Sequence, residues 1–172
     1  MKFLNNKSIL YFLPNKLLGN KIASFDLDHT LIRPNNNRVH PKNIDDFELV
    51  FENVVDKLKE LYEQKYNIVI FSNQSDLLSI EKTEKKNIVL GRIEKLVELL
   101  GFDISIFIST NKDIYRKPNT GMLDFFIEKT NIKLDYKNSF YVGDAAGRLK
   151  TKDNKKDFAC SDRYFALNTN LK

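Results

Sequence analysis

FDLDHTLI, Phe25–Ile32, places two aspartates one residue apart at the end of an apolar run. The run itself, IASFDL at Ile22–Leu27, is short and shows no clean alternation. That is the pattern of a strand buried on both faces of a parallel sheet. In a strand, residues i and i+2 point to one face, so Asp26 and Asp28 sit side by side at the sheet's edge. Burying one carboxylate is costly, and a like-charged neighbour adds repulsion. A strand that ends in this way needs cations around it.

Similar runs recur along the chain. Strands are expected at Ser8–Leu13, Asn67–Ser72, Ile104–Ser109, Ser139–Val142 and Arg163–Leu167. Helical patterns lie between them. In Phe47–Lys65 the residues Phe51, Val54, Leu58, Leu61 and Tyr62 recur at spacings of three and four. Glu81–Leu100 repeats this with Ile93, Leu96, Val97 and Leu100, and Gly101 supplies a stop. A third helix runs through Met122, Phe125 and Phe126, with Asn119 as its expected cap. Strands alternating with helices imply right-handed crossovers. The predicted class is α/β: three layers around a doubly wound, mainly parallel sheet. The strand at residues 8–13 stands outside the rhythm and is expected as an added antiparallel hairpin or edge, the core being 22–167. The stretches 33–43 and 150–157 are Pro/Asn-rich and charge-dense, and read as surface loops.

The chain has 172 residues, 42% of them hydrophobic, which fits one domain over 1–172. No apolar stretch of about 18 residues is present to span a membrane, and the interrupted N-terminal segment does not read as a signal peptide. The single cysteine, Cys160, excludes an internal disulfide and a cysteine-based zinc cage, and is expected as a small core residue. An intracellular, monomeric protein is the default expectation. The net charge of +5 fits an anionic partner and fits equally a lysine-rich solvated surface.

Ligands of open α/β sheets sit beyond the carboxyl ends of the strands. Those ends carry Asp26 and Asp28, then Ser72 and Asn73, then Arg116 and Lys117 in NKDIYRKP, then Asp144 and Arg148 in YVGDAAGR. Asp26, Asp28 and Asp144 offer hard oxygen ligands of the kind Mg²⁺ takes, together with water and phosphate oxygens. A bound Mg²⁺ also offsets the clustered negative charge. Ser72 and Asn73 can hydrogen-bond phosphoryl oxygens, and Lys117 supplies fixed positive charge. One carboxylate can attack phosphorus, and a second can protonate the leaving alcohol and then activate water.

D-x-D-x-T after a strand, a strand-end serine, a lysine and a G-D strand end together resemble the haloacid-dehalogenase-like phosphohydrolases. FDLDHTLI, FSNQ, RKPNTGM and YVGDAAGR with KKDFACSDRYFALN resemble, more narrowly, the 3′-phosphatase domain of polynucleotide kinase/phosphatase. The likeness runs from Ile22 to Leu167. It implies that Asp26 is the nucleophile and that Asp28 is the general acid/base, its backbone carbonyl also binding metal. It implies that Ser72 and Lys117 hold the phosphoryl group and that Asp144 completes a Mg²⁺ site. Arg116 and Arg148 are implied contacts to phosphate or to the nucleic acid backbone. The expected substrate is a nucleic acid 3′-phosphate end, DNA before RNA.

Some positions depart from the pattern. SDLLSIEK follows FSNQ where relatives carry a glycine-rich stretch. Position 148 is Arg where many relatives place a second acid, leaving Asp157 or Asp162 to substitute. His29 stands where many relatives have glycine, which implies a turn free of backbone strain, with Thr30 fixing it. No G-x-x-x-x-G-K-[ST] occurs, so no 5′-kinase activity is expected. Nothing in the chain identifies a kinase or ligase acting in trans. No insertion is large enough for a cap domain, so residues 33–42 are expected to form a small flap. Two other readings compete: a small-molecule phosphatase of the histidinol-phosphate or heptose-bisphosphate type, and a non-catalytic module binding nucleic acid ends. The first commonly carries a Cys/His zinc loop, which one cysteine cannot supply; the second does not require an acid cluster.

Overall fold

The computed structural model describes residues 1–35, 38, 40–75, 77–79, 83–152 and 156–172. Its sheet grows from β3 (Ile22–Phe25), whose four residues are all buried. β3 pairs in parallel with β6 (Asn67–Asn73) on one side and β8 (Phe140–Val142) on the other. β6 pairs in parallel with β7 (Ser105–Ser109). The N-terminal hairpin of β1 (Leu4–Asn6) and β2 (Ile9–Phe12) then adds antiparallel to β7. The strand order is β1-β2-β7-β6-β3-β8. The added antiparallel hairpin and the mainly parallel sheet agree with the sequence reading.

Alternation across the strands divides the core into two layers. Ile68 and Ile70 face one cluster, filled by Val54 and Leu58 of α1 (Val54–Glu63) and by Val89, Ile93 and Leu96 of α2 (Thr83–Leu100). Val69 and Phe71 face the other, filled by Met122, Leu123, Phe125 and Phe126 of α3 (Gly121–Thr130) and by Phe165 of α4 (Ser161–Asn168). Helices on both faces make the three-layer α/β sandwich. Between β3 and α1, the short strands β4 (Ile32–Arg33) and β5 (Glu48–Leu49) form a two-stranded ribbon. Part of the expected flap, residues 36, 37 and 39, lies outside the described residues, as do Glu81 at the expected start of α2 and residues 153–155 of the charged loop.

Four expectations are corrected. Arg163–Leu167 is helix, not strand: Asp162, Phe165 and Thr169 are buried at spacings of three and four, while Tyr164 and Leu167 face solvent. Its aromatic content imitates a strand, but its burial period is helical. The expected helix at Phe47–Lys65 begins only at Val54, because Glu48–Leu49 is held by β4 and Val50 N–H donates to Leu31 O at 3.1 Å. Thr120, not Asn119, precedes α3; the Asn119 amide donates to Asp113 O at 2.8 Å. Cys160 is exposed rather than in the core.

α4 is pinned through Phe165, which is fully buried and packs edge-on against Tyr141 with ring centroids 4.9 Å apart. Phe165→Ala should lower the unfolding free energy by about 3–5 kcal/mol, read from urea denaturation. A loss below about 1 kcal/mol would show that α4 is not anchored there.

Candidate active site

Parallel register brings the strand ends together. Phe25 stands beside Ile70 of β6 and Val142 of β8, so the residues that follow each strand emerge at one edge. Asp26 N–H donates to Val142 O at 2.8 Å, which places Asp26 directly against the β8 exit that carries Asp144. Ser72 and Asn73 end β6 next to Ile108 and Ser109 of β7. Lys117 arrives on the loop between β7 and α3.

Lys117 is the hub. Its buried Nζ donates to Asp26 Oδ1 at 2.6 Å, to Tyr141 Oη at 2.6 Å and to Asp162 Oδ1 at 2.8 Å. An ammonium has three N–H donors, and each has an acceptor. The backbone of Lys117 is clamped by Asn73: its N–H donates to Asn73 Oδ1 at 3.0 Å, and Asn73 Nδ2 donates to its carbonyl at 3.1 Å. Both polar ends of the Asn73 carboxamide thus bind the Lys117 backbone, so Asn73 holds that lysine in place, and one amide N–H is left over.

Asp26, Asp144 and Asp162 each present a carboxylate oxygen, all within 4.8 Å of one another. Asp162 comes from the first turn of α4, and its Oδ2 accepts from Ala145 N–H at 2.9 Å. It can approach because position 143 is glycine: a Cβ there would lie 2.4 Å from the Asp162 carboxyl carbon. Of the two acids considered for this place, Asp162 joins the cluster. Asp157 instead accepts from Arg148 Nε at 2.9 Å and from the Ala146 and Arg148 N–H groups. Arg148 also donates to Asp144 O at 3.1 Å, so its guanidinium serves the loop of Asp144. Arg116 Nη1 donates to Ser75 Oγ at 2.9 Å, tying the Lys117 loop to the residues after β6.

Asp28 points elsewhere. Its Oδ2 accepts from Gln74 Nε2 at 2.6 Å, and its Oδ1 from Arg92 Nη1 at 3.1 Å. Gln74 Nε2 also reaches the buried Ser72 Oγ at 3.2 Å. The turn between the two aspartates and β4 is held by backbone bonds, His29 N–H to Ile32 O at 2.8 Å and Ile32 N–H to Leu27 O at 3.1 Å. Thr30 Oγ1 is buried with no partner among the described residues, so it does not fix this turn by hydrogen bonding. His29 has φ 61°, in the left-handed region, which corrects the expectation of a turn free of strain.

Gln74, Tyr141 and Arg92 were not singled out from sequence. Gln74 belongs to the FSNQ block. Arg92 carried a signal: it lies on the same helix stripe as Val89, Ile93 and Leu96, where a charged residue needs a reason.

Burial pushes the Asp26 carboxyl up to about 7; Lys117 opposes this, while Asp162 and Asp28 add to it. Asp144 is raised in the same way, by burial and then by Asp162. Burial, reinforced by Asp26 and Asp162, holds the Tyr141 hydroxyl protonated well above its ordinary range. The cluster thus carries more negative charge than Lys117 balances. Hard oxygen donors, close spacing and residual charge fit a divalent cation such as Mg²⁺.

Comparison with known families places this geometry. The sequence profile of the family described as polynucleotide kinase 3 phosphatase matches residues 21–172. The chain belongs to that family. An uncharacterized 20.8 kDa protein of the FGF-VUBI intergenic region of Autographa californica nuclear polyhedrosis virus is 44% identical over 151 residues, covering 88% of this chain and 80% of that protein. The bifunctional polynucleotide phosphatase/kinase of Schizosaccharomyces pombe is 37% identical over 152 residues, covering 88% of this chain and 35% of that protein. The chain thus spans about a third of the latter's length. Among solved structures, one from Mesorhizobium loti described as a HAD-like phosphatase superposes with a TM-score of 0.70 at 16% identity, covering 98% of this chain and 78% of that one. The D,D-heptose 1,7-bisphosphate phosphatase of B. bronchiseptica, solved with magnesium and phosphate, gives a TM-score of 0.55 at 19% identity, covering 73% of this chain and 70% of that one. The fold is haloacid-dehalogenase-like, and this member of the polynucleotide kinase 3 phosphatase family is a phosphatase. No helix among the described residues is long and apolar enough to cross a membrane.

The raised Asp26 gives a testable pH dependence. The ordinary carboxyl value is 3.8 and the folded one about 7, so between them the folded protein holds a proton that the unfolded chain has released. Stability of the metal-free protein therefore falls as pH rises from about 4 to about 7, and Asp144 contributes with the same sign. In EDTA, the melting temperature should be lower at pH 7.5 than at pH 5.5. Asp26→Asn should raise it at pH 7.5 and flatten the difference; an unchanged slope in the variant would remove Asp26 as its source.

Proposed function

We propose that the chain is a polynucleotide 3′-phosphatase that removes the terminal 3′-phosphate from DNA ends and leaves a 3′-hydroxyl. The observation that carries this reading is the Asp26 carboxylate, gripped by Lys117 at 2.6 Å and flanked by Asp144 and Asp162, at the exit of β3 in a member of this family. Residues 22–167, with the N-terminal hairpin as added edge, are proposed to act as one catalytic unit. Among the described residues, only the β4–β5 ribbon stands between β3 and α1. An entrance of that kind suits the end of a polymer, and the net charge of +5 suits a polyanion. A 5′-kinase function is not part of the proposal.

The chemistry follows from the two aspartates and their different neighbours. The Asp26 carboxylate attacks phosphorus; an oxygen–phosphorus bond forms as the bond to the 3′-oxygen breaks. Asp28 delivers a proton to that departing oxygen. Water then attacks the aspartyl-phosphate, Asp28 takes its proton, and inorganic phosphate leaves with Asp26 restored. Lys117 orients the Asp26 oxygen and carries positive charge next to the reacting centre. Ser72, on the β6 end, has a hydroxyl proton to offer a phosphoryl oxygen. Asp26, Asp144 and Asp162, with the Asp28 carbonyl, would hold Mg²⁺, which supplies charge neutralisation of the phosphoryl oxygens when bound. Arg116 and Arg148 are the proposed contacts to the strand.

The test offers a 3′-phosphorylated oligonucleotide, a 5′-phosphorylated one and small phosphate esters, each with Mg²⁺ or with EDTA. Mg²⁺-dependent release of phosphate from the 3′ end is expected. Preference for a small ester would overturn the polynucleotide reading, and no release from any of them would overturn the enzymatic one. Asp26→Asn should abolish turnover and keep oligonucleotide binding. That binding should weaken as salt rises, through counterion release; an affinity flat in salt would argue against a groove that follows the phosphate backbone.

A further inference from the structure

Arg92 is a charged residue on the core-facing stripe of α2, and its side chain is 1% exposed. Its Nη1 donates to Asp28 Oδ1 at 3.1 Å. Its Nε and Nη2 are buried without an acceptor among the described residues. A guanidinium never loses its charge in a protein, so burying it with two unmet donors weakens the fold. An apolar residue would continue the stripe of Val89, Ile93 and Leu96 without that penalty. Packing therefore does not account for Arg92; its one polar contact does.

We infer that Arg92 is a positioning residue for proton transfer: with Gln74 it forms a two-sided clamp that fixes the orientation of the Asp28 carboxyl toward the leaving oxygen. The inference rests on the proposed role of Asp28 as proton donor. The geometry of the clamp is specific. Gln74 takes Oδ2 from the end of β6, and Arg92 takes Oδ1 from α2, so each oxygen has its own donor on a separate element. Asp28 is itself 32% exposed at its side chain. Without the clamp it is free to turn toward water, and without Arg92 it is not left as a stranded buried charge. Neither Arg92 nor Gln74 touches Asp26, Asp144 or Asp162 through a side-chain hydrogen bond. Loss of Arg92, which unlike Gln74 makes no hydrogen bond to Ser72, should thus spare nucleophilic attack and impair only the step that needs a delivered proton.

That separation is measurable with leaving groups of different basicity. The 3′-oxygen of an oligonucleotide must be protonated as it leaves, whereas p-nitrophenolate departs without a proton. Single-turnover release of each leaving group isolates the first half-reaction. Arg92→Met should slow release from a 3′-phosphorylated oligonucleotide by roughly 30-fold, less than the about 10²–10⁴-fold that a general acid contributes in full because Asp28 itself remains, and from p-nitrophenyl phosphate by less than about threefold. Arg92→Lys should recover part of the oligonucleotide rate. The urea midpoint of Arg92→Met should equal or exceed that of the parent, which separates the effect from unfolding.

Equal losses on both substrates, or an oligonucleotide rate matching the parent, would overturn the inference. Asp28→Asn serves as the reference. If it shows the leaving-group dependence and Arg92→Met does not, Asp28 remains the proton donor and the clamp alone fails. If Asp28→Asn shows none, the assignment of Asp28 falls and the clamp falls with it.

Discussion

One ammonium holds the site together. Lys117 Nζ reaches Asp26 at the exit of β3, Asp162 on α4 and Tyr141 on β8. Three elements from distant parts of the chain are thereby drawn to a common point, and the point is buried. A buried cation with all its donors met is stable there, and the carboxylates around it outnumber it, so its charge stays paired. Asn73 extends the arrangement by clamping the Lys117 backbone to β6. The sheet register sets where the strand ends lie, and Lys117 decides what their side chains do.

The two aspartates of FDLDHTLI have separate environments although they are neighbours in sequence. Asp26 joins a cluster of carboxylates around Lys117, buried and with its carboxyl raised to about 7. Asp28 turns to Gln74 and Arg92 and stays partly open to solvent. Pairs of acids set apart in this way can divide an attacking role from a proton-transfer role. The left-handed His29 between them belongs to this division. The chain must change direction within one residue for the second carboxylate to leave the plane of the first.

Much of this is legible in the amino-acid sequence. The unalternating apolar runs marked the parallel strands, since burial on both faces erases the period of two. The strand-end rule then grouped Asp26, Ser72, Lys117 and Asp144. Less legible was whatever depended on tertiary partners. RYFAL has the aromatic content of a strand, and only the burial of Asp162 and Phe165 on one side makes it a helix. The hold of Asn73 on the Lys117 backbone has no local signature, because its partner is 44 residues away. Thr30 read as the turn's lock because the backbone bonds that hold the turn have no signature in side chains. Arg92 was visible as a charge on an apolar stripe, but its target lies 64 residues earlier.

The glycine before Asp144 carries a consequence for how such sites diverge. Asp162 occupies the space a side chain at position 143 would fill. The second acid can therefore be recruited from α4 only in a chain that already lacks a side chain there. With glycine in place, the acid need not follow Asp144 closely in sequence, and position 148 is released to hold an arginine that secures the loop instead. The two positions form an epistatic pair: the value of an acid at 162 is conditional on the residue at 143.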